Sequence, residues 1–350
     1  MPDSLLYKSL EQAIGQLPGD LKLAVALSGG PDSSALAICA DGVARRQNRS
    51  IVFFHVHHGL HADADAWTAK VRALAQALDR ELDVRHVTVD LTGGFGVEGA
   101  ARLARYQAIE SMAAKRDVGA VLLAHHQQDQ AETVLMRLLR GSGVSGMAAM
   151  APITRRAGLY WVRPWLDVSR KDLLDCVSDY TERTGWLPVD DPSNLDGSLA
   201  RGTLRAKVIP AVQSHWPAWQ QALARHAQQA AQADRLLFRF GDRLLSELAI
   251  DTAAGTWPVL SLLQWRALDP DEQVLVLRVW LGQAGFQMPT DKRLVELVRQ
   301  LRDVHALGHD RDLRWEQQDC MVRCIRGQLH LHAKIASFEG EAGEGSVRTE

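Results

Sequence analysis

Between residues 28 and 34 the chain reads Ser28-Gly29-Gly30-Pro31-Asp32-Ser33-Ser34, which gathers three hydroxyls, two glycines and one carboxylate. Such residues suit a phosphate. Glycine lets the backbone bring its N–H groups close to an anion. Serine donates a hydroxyl hydrogen bond or caps a helix. Asp32 is the odd member, because a carboxylate repels a phosphate unless a cation such as Mg²⁺ lies between them or unless it works on the reacting group. A capped helix after a glycine turn would not need this whole set. No GxxxxGK[ST] pattern occurs, so a kinase-like cradle for a γ-phosphate is not indicated.

Four further polar segments carry chemistry-bearing residues. His57-His58-Gly59-Leu60-His61 ends an apolar run. Arg102 and Arg105 are three residues apart and share a helix face, an arrangement that suits a phosphate or a solvated face. His125-His126-Gln127-Gln128-Asp129-Gln130-Ala131-Glu132-Thr133 runs on to Arg137, Arg140 and Gly141. Asp129 or Gln128 can start a helix there, yet capping alone requires neither two histidines nor so dense a polar cluster. Asp190-Asp191-Pro192-Ser193-Asn194 is rich in turn formers, and Arg201 and Arg205 follow it four residues apart.

The elements that must position these residues follow from hydrophobic patterning. Leu23–Leu27, Ser50–Val56, Leu82–Val89 and Val118–Ala124 read as strands, the first two buried, the third alternating and the fourth apolar. Helices are predicted over residues 5–17, from Ala35, from Asp63, over 97–116 and over 129–140. This alternation predicts an α/β fold with a doubly wound, mostly parallel sheet. Ligands bind such sheets outside the carboxyl ends of the strands. The glycine stretch, the His57–His61 segment and His125-His126 all follow strands at that end. A strand-to-helix glycine turn also aims the positive end of a helix at an anion. Trp161–Leu166 reads as an edge strand stopped by Pro164, and a helix is predicted over 170–183.

Two GxGxxG patterns, Gly94–Gly99 and Gly141–Gly146, fail the context of a dinucleotide site. The second follows a helix, and the first follows a loop instead of a tight turn. From His215 onward the chain turns Ala-, Gln- and Arg-rich with helical periodicity, and short strands with a turn at Arg326-Gly327 close it. The expected organisation is residues 1–215, a mainly helical domain over 216–338, and a disordered tail over 339–350. A net charge of -2 gives no global pull toward nucleic acid, so any RNA contact must use local patches. The start of the chain does not read as a signal peptide, and no apolar run is long enough to span a membrane. Of the four cysteines, Cys320 and Cys324 are spaced CxxxC with no second pair to complete a zinc site, and both read as structural thiols of a reducing cytoplasm.

Together these pieces resemble the tRNA(Ile)-lysidine synthetases, a family of the ATP pyrophosphatases whose SGGxDS loop Ser28–Ser33 matches. The matching pieces are that loop, His58-Gly59-Leu60, Arg102 and Arg105-Tyr106, the His125–Thr133 block with Arg140-Gly141-Ser142-Gly143, Arg163-Pro164, Asp191–Asn194, and Arg201 to Arg205 before Pro210. The likeness covers residues 20–215 and is weaker beyond. Many ATP pyrophosphatases share the loop; its combination with the histidine block and the later arginines is far more specific.

The resemblance implies that ATP is cleaved between its α- and β-phosphates to adenylate the C2 oxygen of the wobble cytidine in a CAU anticodon. The ε-amine of free L-lysine then attacks C2 and displaces AMP. The product, lysidine, pairs with A instead of G. The resemblance implies an ATP site of Ser28, Gly29, Gly30, Pro31, Asp32, Ser33 and His125. It implies catalytic roles for Asp32, Arg102, Arg105, Arg201 and Arg205, and contacts with tRNA or its target base by His58, His126, Asp129, Glu132 and Arg140. Mg²⁺ is assigned to Asp32. The implied partners are tRNA(Ile) with a CAU anticodon and L-lysine, in the cytoplasm and without a membrane, with a homodimer among the admissible assemblies. The chain departs from the family pattern at Gln128, where an acid is usual, at His61, where an arginine is common, and at Gly202, where an asparagine is common.

Rival readings lack their residues. A sulfur-inserting tRNA thiolase needs an exposed cysteine pair or a catalytic cysteine near the loop, whereas Cys39 falls in an apolar helix pattern and Cys176 stands alone in sequence. A nucleotide sensor without chemistry would not need Asp32 and two arginine pairs.

Overall fold

The computed structural model describes residues 4–59, 61–90, 96–191, 200–251, 257–304 and 313–334. Its first sheet is built on β1 (Lys22–Ala26), whose central Leu23, Ala24 and Val25 are fully buried. β2 (Ile51–His57) and β4 (Val118–Leu122) flank β1 in parallel register, pairing Val25 with Phe53 on one side and Leu122 on the other. β3 (Leu82–His86) lies outside β2. On the far side, β6 (Leu159–Val162) pairs parallel with β4, and β5 (Ile153–Arg156) pairs antiparallel with β6. The order is β3-β2-β1-β4-β6-β5. After β1 the chain adds strands on one side, and at β4 it crosses to the other. The loops after β1 and β4 therefore part from each other, leaving the crevice in which such sheets bind ligands.

Both faces of the sheet are covered. Leu23, Val25, Phe53, Ala120, Leu122 and Val162 belong to a core shared with α1 (Leu5–Gly15), α2 (Pro31–Gln47), α3 (Ala64–Ala77) and α7 (Arg170–Thr184). Ala24, Val52, Phe54 and Val121 turn to the other face against Ile109, Met112 and Ala113 of α4 (Gly96–Arg116). Alternation along each strand sends neighbouring side chains to opposite cores, which is why these runs are apolar throughout. α2 follows from its sequence: Pro31 holds the first helical position, and Asn48 closes the helix in the left-handed region at φ 50°.

The expected doubly wound sheet and its strand–helix alternation are present. One element differs. The strand expected over 161–166 is β6, and it is interior because a hairpin folds β5 onto it. Ala157 and Gly158, at φ 50° and 79°, make the turn. Pro164 lies beyond the strand, so no ladder hydrogen bond is lost to it.

Two compact units divide the chain at Gln232/Ala233, within α10 (Trp219–Leu248) and seventeen residues past the expected boundary at 215. A continuous helix offers no compositional break at which to place the division from sequence. The second unit carries α11 (Leu262–Ala267), α12 (Pro270–Gln283), α13 (Asp291–Asp303) and a five-stranded antiparallel sheet. Its hairpin β10 (Cys320–Ile325)/β11 (Gln328–Ala333) turns at Arg326-Gly327 as expected. Trp265, Trp280 and Trp315 lie in its core. Leu60, Pro192–Asn194, the first residues of the Gly94–Gly99 pattern and the expected tail over 339–350 lie outside the described residues. No helix among the described residues is long and apolar enough to cross a membrane.

Candidate active site

The glycine loop joins β1 to α2. Gly29 has φ +93°, and a Cβ there would lie 2.8 Å from Val71 Cγ2 and 2.9 Å from Val189 Cγ2. Only glycine fits both the dihedral and the space. The Gly29 carbonyl accepts from Val189 N at 2.9 Å and from Ser34 Oγ at 3.2 Å. Ser33 Oγ accepts from the N–H groups of Ser28 and Gly29, each at 3.2 Å, and donates to Gly30 O at 3.1 Å. Ser33 and Ser34 are thus buried and hold the loop itself, while Ser28 is exposed. Gly30 precedes α2 without a side-chain cap, so the first-turn N–H groups of that helix keep their positive end.

Asp32 stands in the first turn of α2 between Arg170 and His126. Arg170 Nε donates to its Oδ1 at 3.2 Å, and His126 Nε2 lies 3.7 Å from its Oδ2. Burial works to raise the Asp32 pKa, but His126 and Arg170 outweigh it and hold the carboxyl below its usual range. His126 lies just ahead of α5 (Gln127–Leu139), is 2% exposed, and donates its backbone N–H to Asp129 Oδ2 at 3.2 Å. His126 Nε2 is also 3.4 Å from that oxygen. The loop after β1 and the block after β4 therefore meet at His126.

One helical turn along α5, Glu132 is wholly buried. Arg205 spans its carboxylate with Nε to Oε1 at 2.8 Å and Nη2 to Oε2 at 2.9 Å. Arg201 Nε is 3.1 Å from Oε2, and Gln128 Nε2 donates to Oε1 at 2.9 Å. Arg205 also faces Asp129 at 3.6 Å, and Arg201 Nη2 donates to Thr133 Oγ1 at 3.3 Å. A bidentate guanidinium–carboxylate pair fixes orientation as well as charge. Arg205 sits in a π-helical turn, Leu204–Val208, a local widening often found at functional positions. Gln128 donates where a second carboxylate would repel Glu132.

The remaining predicted residues divide. His125 is half-buried; its pKa is pushed down to about 3 by burial and by Arg163, Arg102 and Arg201, against the pull of Asp129. His58 is lowered to about 4 by burial and by Arg105, whose Nε lies 3.3 Å from His58 Nε2. Both rings are neutral at pH 7, and both leave a buried Nδ1 without a hydrogen-bond partner among the described residues. Arg102 donates to Tyr106 OH at 3.3 Å and lies over that ring. Arg140 is not brought in: it is exposed beyond the far end of α5, about 20 Å along the helix from His126. Glu132 lies behind the arginines, with no exposed surface to offer a base.

Two residues received no role from the sequence. Arg170 was visible only as a helix start, and nothing local tied it to Asp32. Arg163 is 8% exposed and donates through Nη1 to Ala151 O at 3.0 Å, anchoring the unforeseen hairpin beside His125. Among the described residues no group of three or more His, Cys, Asp or Glu side chains is arranged to hold a metal ion. Mg²⁺ at a nucleotide asks for less, commonly one or two carboxylates with phosphate and water completing the shell. Asp32, ionised and with its side chain 29% exposed, fits that demand.

Residues 3–212 match the family model of a PP-loop domain, and residues 260–330 match that of a TilS substrate binding domain. The chain is 46% identical over 314 residues to the tRNA(Ile)-lysidine synthase of Bordetella bronchiseptica, covering 90% of each. It is 40% identical over 332 residues to that of Burkholderia mallei, covering 91% of this chain and 66% of the relative. Among solved structures, the U34-tRNA thiolase NcsA of Methanococcus maripaludis, with its [4Fe-4S] cluster, superposes with a TM-score of 0.52 at 15% identity, over 64% of this chain and 77% of that one. That likeness is one of fold. By the family match and by identity along nine-tenths of its length, the chain belongs to the tRNA(Ile)-lysidine synthases.

Proposed function

We propose that the protein joins free L-lysine to C2 of the wobble cytidine of a tRNA(Ile) with a CAU anticodon, and that ATP drives the reaction by adenylating that base. In the first step the C2 oxygen attacks the α-phosphorus and pyrophosphate leaves. In the second the lysine ε-nitrogen bonds to C2, the C2–O bond breaks, AMP departs with the oxygen, and the nitrogen loses its proton. The observation that carries this reading is the meeting of three segments, distant in sequence, at the carboxyl ends of β1 and β4: the glycine loop, the His125–Glu132 block and the Arg201–Arg205 segment.

Each role has a physical basis. The exposed Ser28 hydroxyl, the backbone of Gly29 and Gly30 and the uncapped start of α2 suit the leaving pyrophosphate, with Ser33 holding the loop in shape. Asp32 would hold Mg²⁺, which when bound neutralises phosphate charge. Arg201 and Arg205, aligned by Glu132, suit the charge that develops between the phosphorus and the C2 oxygen, and preset cations cost no reorganisation there. Arg102 and Arg105 offer a second cationic face. His125 and His58, neutral and each with an unpartnered ring nitrogen, suit hydrogen bonding to an uncharged base, and the buried His126 joins Asp32 to Asp129. Of the thiols a sulfur-inserting alternative would use, Cys39, Cys320 and Cys324 are buried, and the half-buried Cys176 lies 3.8 Å from Cys39, between α2 and α7 and not on the glycine loop.

Labelled lysine tests the reading. With ATP and Mg²⁺, label should enter tRNA(Ile) bearing CAU and not the methionine tRNA with the same anticodon. Pyrophosphate release with another RNA or acceptor, and no lysine label, would keep the adenylating loop and discard lysidine formation.

A further inference from the structure

The glycine loop poses a charge problem, because Asp32 lies where phosphates are to bind. The His126 side chain is buried beside Asp32, so it does not face the solvent side from which a phosphate arrives. Arg201 and Arg205 pair with Glu132, one helical turn away. Arg170 is the exposed cation in direct contact with Asp32. It is the first residue of α7, and Ser169 caps that helix by accepting from Asp172 N. Asp32 is in the first turn of α2. Two helix N-termini therefore meet at this ion pair, and the uncapped one, that of α2, favours an anion beside it.

We propose that Arg170 is a phosphate-binding residue of this loop: Asp32 holds its guanidinium through Nε, and its two Nη groups bind the terminal diphosphate of ATP. The assignment rests on the ATP-cleaving reading above. Three observations carry it. The Arg170 side chain is 43% exposed, so an incoming phosphate reaches it without rearrangement of the core. Only its Nε is hydrogen-bonded among the described residues, which leaves the Nη1 and Nη2 N–H groups for a ligand. An exposed ion pair also adds little to stability, and α2 and α7 are already joined through the apolar core that holds Leu36, Leu173 and Val177. A strut is not needed there. A guanidinium fixed by a carboxylate on one edge and facing phosphate with the other is preorganised for bidentate recognition, which lysine does not reproduce.

The test compares the full-length wild type with R170Q and R170K, measuring binding of ATP, pyrophosphate and AMP in Mg²⁺ buffer by calorimetry. We expect R170Q to weaken pyrophosphate and ATP by roughly tenfold to a hundredfold, the loss of charge-assisted hydrogen bonds, while AMP binding stays as in the wild type. R170K should recover part of the loss, and it serves on its own if R170Q fails to fold. Unchanged pyrophosphate affinity in the variants, or equal weakening of AMP and pyrophosphate, overturns the assignment. Lysine ligation by the wild type, run alongside, separates the two claims. Ligation with an indifferent R170Q removes Arg170 alone, whereas selective loss of pyrophosphate binding without any ligation upholds Arg170 and removes the lysidine reading.

Discussion

Replacing Glu132 with glutamine isolates what aligns the arginines. The substitution keeps the volume and one acceptor but removes the charge that Arg205 spans at 2.8 and 2.9 Å and that Arg201 meets at 3.1 Å. Breaking a fully buried pair by neutralising one partner costs about 3–5 kcal/mol. The two arginine side chains keep 29% and 24% exposure, so water recovers part of that cost. We therefore expect a loss of about 2–3 kcal/mol, equivalent to a fall in Tm of roughly 5–10 °C for a unit of this size. The effect on turnover should be larger. Once both guanidiniums are unaligned, adenylation should slow about a hundredfold, the scale of a lost preorganised charge contact, while ATP affinity changes little. The assays are a calorimetric melt and single-turnover formation of adenylated tRNA. E132Q/R205Q should lose little beyond R205Q alone, since the residues act as one unit. Wild-type turnover in a folded E132Q, or strictly additive losses in the double variant, would refute the claim that Glu132 acts through the arginines.

Gly29→Ala forces a Cβ into 2.8 Å contact with Val71 at a positive φ, so ATP binding should fall at least tenfold; equilibrium dialysis with near-native affinity would contradict this. Stability should already fall in mild acid. His58 and His125 have folded pKa values of about 4 and about 3, below the ordinary 6.5, and burial lowers His55 too. The unfolded chain then binds protons that the folded one refuses, so each such histidine costs about 1.4 kcal/mol per pH unit as pH drops from 6.5 toward its folded value. Asp32 acts at lower pH: its lowered pKa stabilises the fold above about 4 and that contribution fades as pH falls through the folded value. Urea midpoints should decline between pH 6.5 and 4.5, less steeply in H125Q, and a flat profile would rule this out.

Much of the site was legible in the sequence because its pieces are local. Ser28–Ser34 needs only a strand before it and a helix after it, and patterning supplied both. His125 and His126 follow an apolar run short enough to be a strand, which put them at the ligand-binding edge. What remained hidden depends on long-range pairing. Nothing within ten residues of Arg170 announces Asp32, since their contact arises from the packing of α7 on α2. Glu132 read as a base contact because its polarity was visible and its complete burial was not. The β5 strand is four residues long, two of them exposed, too weak a pattern to mark the hairpin that makes β6 interior. Cys39 and Cys176 looked isolated in sequence, yet their sulfurs lie 3.8 Å apart across α2 and α7.

The central claim is that ATP activates the C2 oxygen of the target cytidine, so that this oxygen leaves with AMP. A tRNA(Ile) bearing a heavy-oxygen label at C2 of its wobble cytidine, incubated with the protein, ATP, Mg²⁺ and L-lysine, tests it directly through the mass spectrum of the recovered AMP. The account predicts one labelled oxygen on the AMP phosphate for each lysidine formed. Unlabelled AMP, with the label kept in the RNA or passed to water, would contradict it.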